Sequence, residues 1–62
     1  MNKEIKNILI ELEKNLNAQA YSYTTKAMTC DNMDTGMAFA TSAITLLGIS
    51  TAIKDTIKNI NK

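Results

Sequence analysis

The chain lacks most of the residues that stabilise or activate small proteins. It has one cysteine, Cys30, only two glycines, and no histidine, arginine, proline, valine or tryptophan. A single cysteine excludes an internal disulfide, and without histidine or a cysteine cluster a structural zinc site is excluded too. A chain of 62 residues is near the lower limit of independent folding and usually needs a disulfide, a metal or a partner subunit. We therefore expect the missing stabilisation to come from association.

The charges are few and nearly balanced. Seven lysines against six acidic residues leave a formal net charge of +1. This balance lacks the excess of positive charge that is typical of nucleic-acid-binding proteins. Arginine, which usually makes the bidentate hydrogen bonds to guanine and phosphate, is also missing. A signal peptide is not expected, because Glu11 and Glu13 cut short the apolar run 8–10. These features predict a cytoplasmic protein that does not bind nucleic acid.

Residues 3 to about 29 have the pattern of one long amphipathic helix. Asn2 is a candidate N-cap, and Glu4 lies in the first turn, where the helix dipole favours an acid. The threonines and tyrosines of 21–25 lower helix propensity, but the apolar stripe continues through Ala27 and so predicts an unbroken helix. The stripe alternates steps of four and three and is widened by Ile8, Ala20 and Ala27: Ile5, Leu9, Leu12, Leu16, Gln19, Tyr23, Lys26, Cys30. A thinner line runs along the opposite side through Ile10, Tyr21 and Met28, which makes Tyr21 a candidate exposed contact for a partner.

The segment 30–34 is rich in Asp and Asn, which favour turns and helix caps. We predict a turn there, with Asn32 or Asp34 capping a second helix from about 34 to 60. That helix is apolar on two sides. One side holds Met33, Met37, Ala40, Ile44 and Leu47, and the other holds Phe39, Leu46, Ile49, Ile53, Ile57 and Ile60. A line of small residues lies between them: Thr41, Thr45, Gly48, Ala52.

Two helices of matched length joined by a short turn predict an all-α antiparallel hairpin, with 1–62 as a single domain. A helix that is apolar on two sides is buried on two sides. One face would meet the first helix, and the other a second copy, which gives a dimeric four-helix bundle. The candidate interface for self-association or for a partner comprises Leu9, Leu12, Leu16, Tyr23, Phe39, Leu46, Ile49, Ile53 and Ile57.

Three weak motifs could suggest chemistry. The triplet 34–36, Asp-Thr-Gly, matches the catalytic triplet of aspartic proteases, but that chemistry sets two facing carboxylates in a longer, β-rich fold. A calcium-loop reading from Asp31 fails because Met33 stands where a ligand oxygen is essential. Cys30 has no histidine to activate it, so it is either a small buried hydrophobe or an intermolecular disulfide partner. We predict no enzymatic activity, no metal and no cofactor.

Residues 35–53 carry no charge, and nineteen residues are long enough to span a bilayer. Lys54, Lys58 and Lys62 would then lie on the cytoplasmic side, or would otherwise complement the helix dipole. Six hydroxyl residues make the segment only weakly hydrophobic, which favours a soluble bundle.

Three functions are compatible with this pattern. The first is a small regulatory or inhibitory protein, of a kind common in phages and bacteria, that self-associates and binds a larger protein. The second is a membrane-inserting protein with 35–53 as its membrane segment. The third is an assembly subunit whose two apolar faces propagate a larger oligomer.

Overall fold

The computed structural model describes residues 3–60, which form an antiparallel helical hairpin as the sequence predicts. Helix α1 spans Lys3–Thr29 and helix α2 spans Met33–Ile60. The two helices pack along each other, and residues 3–60 contain no strand. The predicted N-cap Asn2 and the last lysine of the C-terminal line, Lys62, lie outside the described residues.

The turn between the helices is closed by Asn32, one of the two predicted caps. Its side-chain Oδ1 accepts a hydrogen bond from the backbone N–H of Thr35 at 3.0 Å. Its backbone carbonyl accepts the N–H of Gly36 at 2.8 Å. The side chain of Asn32 satisfies one of the free N–H groups at the start of α2, and its carbonyl accepts the first hydrogen bond of the helix, so the helix begins at Met33, immediately after the cap.

Helix α1 continues without interruption through the threonine-rich segment. Each threonine hydroxyl bonds a backbone carbonyl four residues earlier: Thr24 to Ala20 at 2.9 Å, Thr25 to Tyr21 at 3.0 Å and Thr29 to Thr25 at 3.0 Å. These bonds satisfy the hydroxyls inside the helix instead of letting them compete with its backbone. The packing of α1 against α2 outweighs the low helix propensity of threonine.

The contact between the helices follows a strict seven-residue repeat. On α1 the least exposed residues alternate steps of four and three: Leu9, Glu13, Leu16, Ala20, Tyr23, Ala27, Cys30. On α2 the same alternation gives Gly36, Phe39, Ala43, Leu46, Ser50, Ile53, Ile57 and Ile60. This spacing is that of an antiparallel coiled coil, in which the two rows of residues face each other along the whole hairpin. We call the contact between the two rows the seam.

Over the middle and turn-proximal parts of this contact, small residues alternate with larger ones: Ala20 and Ala27 on α1, and Gly36, Ala43 and Ser50 on α2. Ala20 is 1% exposed, Ala43 4% and Ser50 3%, so the two backbones approach closely there. Large side chains fill the alternate positions, as where the Tyr23 and Phe39 rings lie 6.0 Å apart between centroids. The ammonium of Lys26 covers both rings at 5.4 and 5.8 Å, a cation–π contact that places this lysine at the edge of the seam.

The observed contact on α1 is therefore centred closer to the small residues Ala20 and Ala27 than the predicted stripe is. Ile5, Ile8 and Leu12 belong to that stripe, yet they remain 45%, 65% and 44% exposed. Glu13, which is not part of the predicted stripe, lies in the seam. The helices approach most closely where side chains are smallest, and that draws the contact towards Ala20 and Ala27.

The hairpin is long and thin and has little interior. Its Cα extents are 46 × 14 × 10 Å, and its radius of gyration is 14.3 Å against about 11 Å for a compact chain of this length. Its accessible surface of 4761 Å² exceeds the roughly 4000 Å² expected for a compact 6.8 kDa monomer. Within residues 3–60 the only buried apolar side chains are two alanines.

Candidate interaction surface

One side of the hairpin, next to the turn, is a continuous exposed apolar surface that we call the methionine face. Its six large side chains are exposed by these fractions: Tyr21 75%, Met28 80%, Met33 79%, Met37 63%, Ile44 70%, Leu47 47%. At about 170 Å² for a fully exposed large apolar residue, they present roughly 700 Å² to solvent. The largest apolar patch on a typical monomer is about 300–600 Å², so this face exceeds the usual range.

The seven-residue repeat places these side chains on one side. Four of them directly follow a small residue of the seam: Tyr21 after Ala20, Met28 after Ala27, Met37 after Gly36 and Ile44 after Ala43. A residue one step further along a helix is turned by about 100°, so both helices present these side chains beside the same edge of the seam. A shallow groove of about 630 Å³ runs between the two rows, with Ala40 and Ala43 in its lining.

The groove continues along the hairpin beyond Met28. A second depression, lined by Asn17, Ala20, Tyr21, Thr24 and Leu47, extends it towards the middle of the molecule. Past that point the same side turns basic, because Lys14, Lys54 and Lys58 occupy the corresponding positions of the repeat. The face is therefore apolar near the turn and lysine-bearing towards the chain ends.

The opposite side of the hairpin is different. Its groove near the turn is lined by Gln19, Tyr23, Thr41, Ser42, Thr45 and Leu46. The threonine hydroxyls bond their own helix, Thr41 to the Met37 carbonyl and Thr45 to the Thr41 carbonyl, both at 2.9 Å. The predicted line of small residues lies on this outer, hydroxyl-rich surface, and a Cβ at Gly48 would have no neighbour within 4 Å. Ile5, Leu12 and Ile49 are exposed on this side further towards the chain ends, and we call these three residues the second apolar stretch.

The nine interface residues predicted from the sequence divide into two groups. Seven are half-buried and lie in the seam between the two helices of one chain: Leu9, Leu16, Tyr23, Phe39, Leu46, Ile53, Ile57. Leu12 and Ile49 flank the seam and are 44% and 47% exposed. Tyr21 is exposed, as expected, and belongs to the methionine face.

The sequence pattern does not show that Tyr21 and Met28 of α1 share a face with the methionines of α2. In the sequence the first pair forms a separate line on α1, and the methionines belong to one of the two apolar faces of α2. For Tyr21, Met28, Met37 and Ile44, the signal that connects the two helices is the position of each large residue directly after a small seam residue. That signal can be read only once the small residues are known to form the seam.

Two polar groups lie within the seam. Ser50 donates its hydroxyl to Oδ1 of Asn17 at 2.7 Å, the one side-chain hydrogen bond that links the helices of the described chain. Glu13 approaches Lys54 at 3.9 Å, which is close enough for an ion pair but too long for a hydrogen bond. Its buried Oε2 has no hydrogen-bond partner. The first group specifies how the helices align, and the second weakens their contact.

The residues singled out for chemistry remain dispersed. Cys30 is a free, half-buried thiol whose Sγ lies 3.4 Å from the carbonyl of Asn32. Asp34, Thr35 and Gly36 form the first turn of α2. Within residues 3–60 no three His, Cys, Asp or Glu side chains come together in a way that could hold a metal ion.

Helix α2 also has the length and composition of a membrane span. Met33–Ile60 contains an 18-residue window with a mean hydropathy of 1.6, of which 11% is buried in the hairpin.

Comparison of the chain with protein families, characterised proteins and solved structures gave no match.

Proposed function

We propose that the protein is a small, non-enzymatic, cytoplasmic interaction protein that self-associates and regulates or inhibits a larger protein. The observation that supports this is the imbalance between core and surface. A hairpin whose buried apolar residues are two alanines exposes roughly 700 Å² of large apolar side chains on one face. Covering that face with another apolar surface would provide the stabilisation that the hairpin lacks.

The test is the mass of the purified protein by light scattering, in buffer without detergent and over a range of concentrations. One discrete mass, that of a dimer or a tetramer, is the expected result. Masses that rise steadily with concentration would favour an open assembly subunit, because a heterologous contact does not close. A well-folded monomer in dilute buffer would contradict self-association.

The larger partner would bind the second apolar stretch, which consists of Ile5, Leu12 and Ile49. These residues lie on the other side of the seam, so they stay accessible if the methionine face is covered. Capture of a partner should be lost in Leu12→Ala/Ile49→Ala and retained in Thr25→Ala/Thr41→Ala, which alters one exposed residue on the outer side of each helix. Equal capture by both variants would show that the partner does not bind the second apolar stretch.

A second candidate function is insertion of α2 into a membrane, which its hydropathy and low burial favour. Two features favour the soluble protein instead. Insertion of α2 alone would break the Ser50–Asn17 bond, and insertion of the whole hairpin turn-first would carry Lys26, Asp31 and Asp34 into lipid. Flotation with lipid vesicles separates the two functions, since a soluble dimer stays in the dense fraction and a membrane protein floats.

A further inference from the structure

We infer that a second copy of the chain covers the methionine face, with the two hairpins antiparallel and overlapping only over their turn-proximal halves. This inference rests on the proposed self-association and assigns it a surface and a geometry. The area is the first argument. Each partner in a stable complex buries about 800 Å², and the roughly 700 Å² of large apolar side chains, with the alanines of the groove, reaches that size.

The composition of the face is the second argument. A two-fold contact places the same patch of each chain against itself, so the patch must be self-complementary. The methionine face meets this condition because its six large side chains are uncharged and because a groove runs between its two rows. Flexible methionine side chains adapt to one another within such a groove.

The charges decide the orientation. If both turns pointed the same way, Lys14, Lys54 and Lys58 of one chain would face the same lysines of the other. Within residues 3–60 the acids of this half do not lie among these lysines: Glu13 lies in the seam and is paired with Lys54, and Glu4, Glu11 and Asp55 occupy the positions of the repeat that point away from the seam. The antiparallel overlap brings apolar half against apolar half, while the two lysine-bearing halves point apart into solvent.

The overlap fixes the dimensions of the dimer. The methionine face and its extension occupy about 15 residues of each helix, or about 22 Å of a hairpin that is 46 Å long. Two hairpins that share this length make a particle about 70 Å long. Two hairpins side by side in the same direction would measure about 50 Å.

The experiment compares alanine variants of the full chain by light scattering and sedimentation. Met37→Ala/Ile44→Ala removes two side chains of the face that are 63% and 70% exposed in the hairpin, so the hairpin itself loses little packing. Alanine is also the strongest helix former, which keeps α2 intact. The matched control is Thr41→Ala/Thr45→Ala, two exposed residues on the hydroxyl-rich side of the same helix segment.

We expect the dimer dissociation constant to rise at least about 100-fold in Met37→Ala/Ile44→Ala and to change less than about threefold in the control. Small-angle X-ray scattering of the wild-type dimer should give a maximum dimension near 70 Å. A dimer that survives Met37→Ala/Ile44→Ala overturns the assigned surface but leaves self-association standing. A maximum dimension near 50 Å overturns the antiparallel overlap. A wild-type monomer contradicts both this inference and the proposed function, and its flotation with vesicles would assign the face to lipid.

Discussion

Replacement of Gly48 by alanine tests whether the line of small residues on α2 is a free surface or a second helix contact. Gly48 lies in the interior of α2, has no positive φ, and has open space around the position of a Cβ. The only change on the hairpin is then the helix propensity, which favours alanine by about 0.8–1.0 kcal/mol. For a domain of this size the melting temperature should rise by about 4–8 °C.

The measurement is thermal unfolding followed by far-UV circular dichroism, with all variants at one chain concentration because association shifts the midpoint. Ala52→Gly is the matched control, since Ala52 is an exposed helical residue on the same outer surface. It should lower stability by about the amount that Gly48→Ala raises it. Gly48→Ala would refute the reasoning if it lowered the midpoint or dissociated the oligomer. That result would mean that a neighbouring backbone packs on Gly48, and it would move the association surface away from the methionine face.

Three further substitutions test the seam and the turn. Ser50→Ala and Asn17→Ala should each lower the free energy of unfolding by about 1 kcal/mol. The double variant should lose little more than either single variant, because one hydrogen bond joins the two side chains at 2.7 Å. Additive losses in urea unfolding would show that the bond contributes nothing. Glu13→Leu should raise stability by about 1 kcal/mol, because it replaces a buried oxygen without a hydrogen-bond partner by an apolar group in the seam, and a lower urea midpoint would show that the ion pair with Lys54 is net stabilising. Asn32→Ala should cost about 1 kcal/mol through loss of the cap on Thr35, with Asn32→Gly losing only a few tenths; equal losses for the two variants would mean that the Oδ1 bond is not what stabilises the start of α2.

The two helices, the turn and the hairpin could all be predicted from the amino-acid sequence. The signals are local: apolar residues recur with a helical period, proline is absent, and Asp and Asn cluster over 30–34. Capping at Asn32 follows from the same local chemistry, since an Asn side chain can reach the N–H three residues on. A helix and its cap form within a few residues, so a single sequence contains enough information to predict them.

Which faces of the two helices meet became clear only from their packing in three dimensions. Helix α2 has two apolar faces of similar strength, and nothing in its hydropathy ranks Phe39 and Leu46 above Met37 and Ile44. Small residues, above all Ala20, determine which face of α2 packs against α1, although they contribute little to the hydropathy pattern. The two backbones can approach closely only where small side chains of both helices face each other. The same approach places Glu13 in the seam and leaves Leu12 at its edge, against the hydrophobic pattern. The methionine face exists for this reason: side chains that follow the small seam residues are turned outwards together, and that common direction is a property of the packed pair.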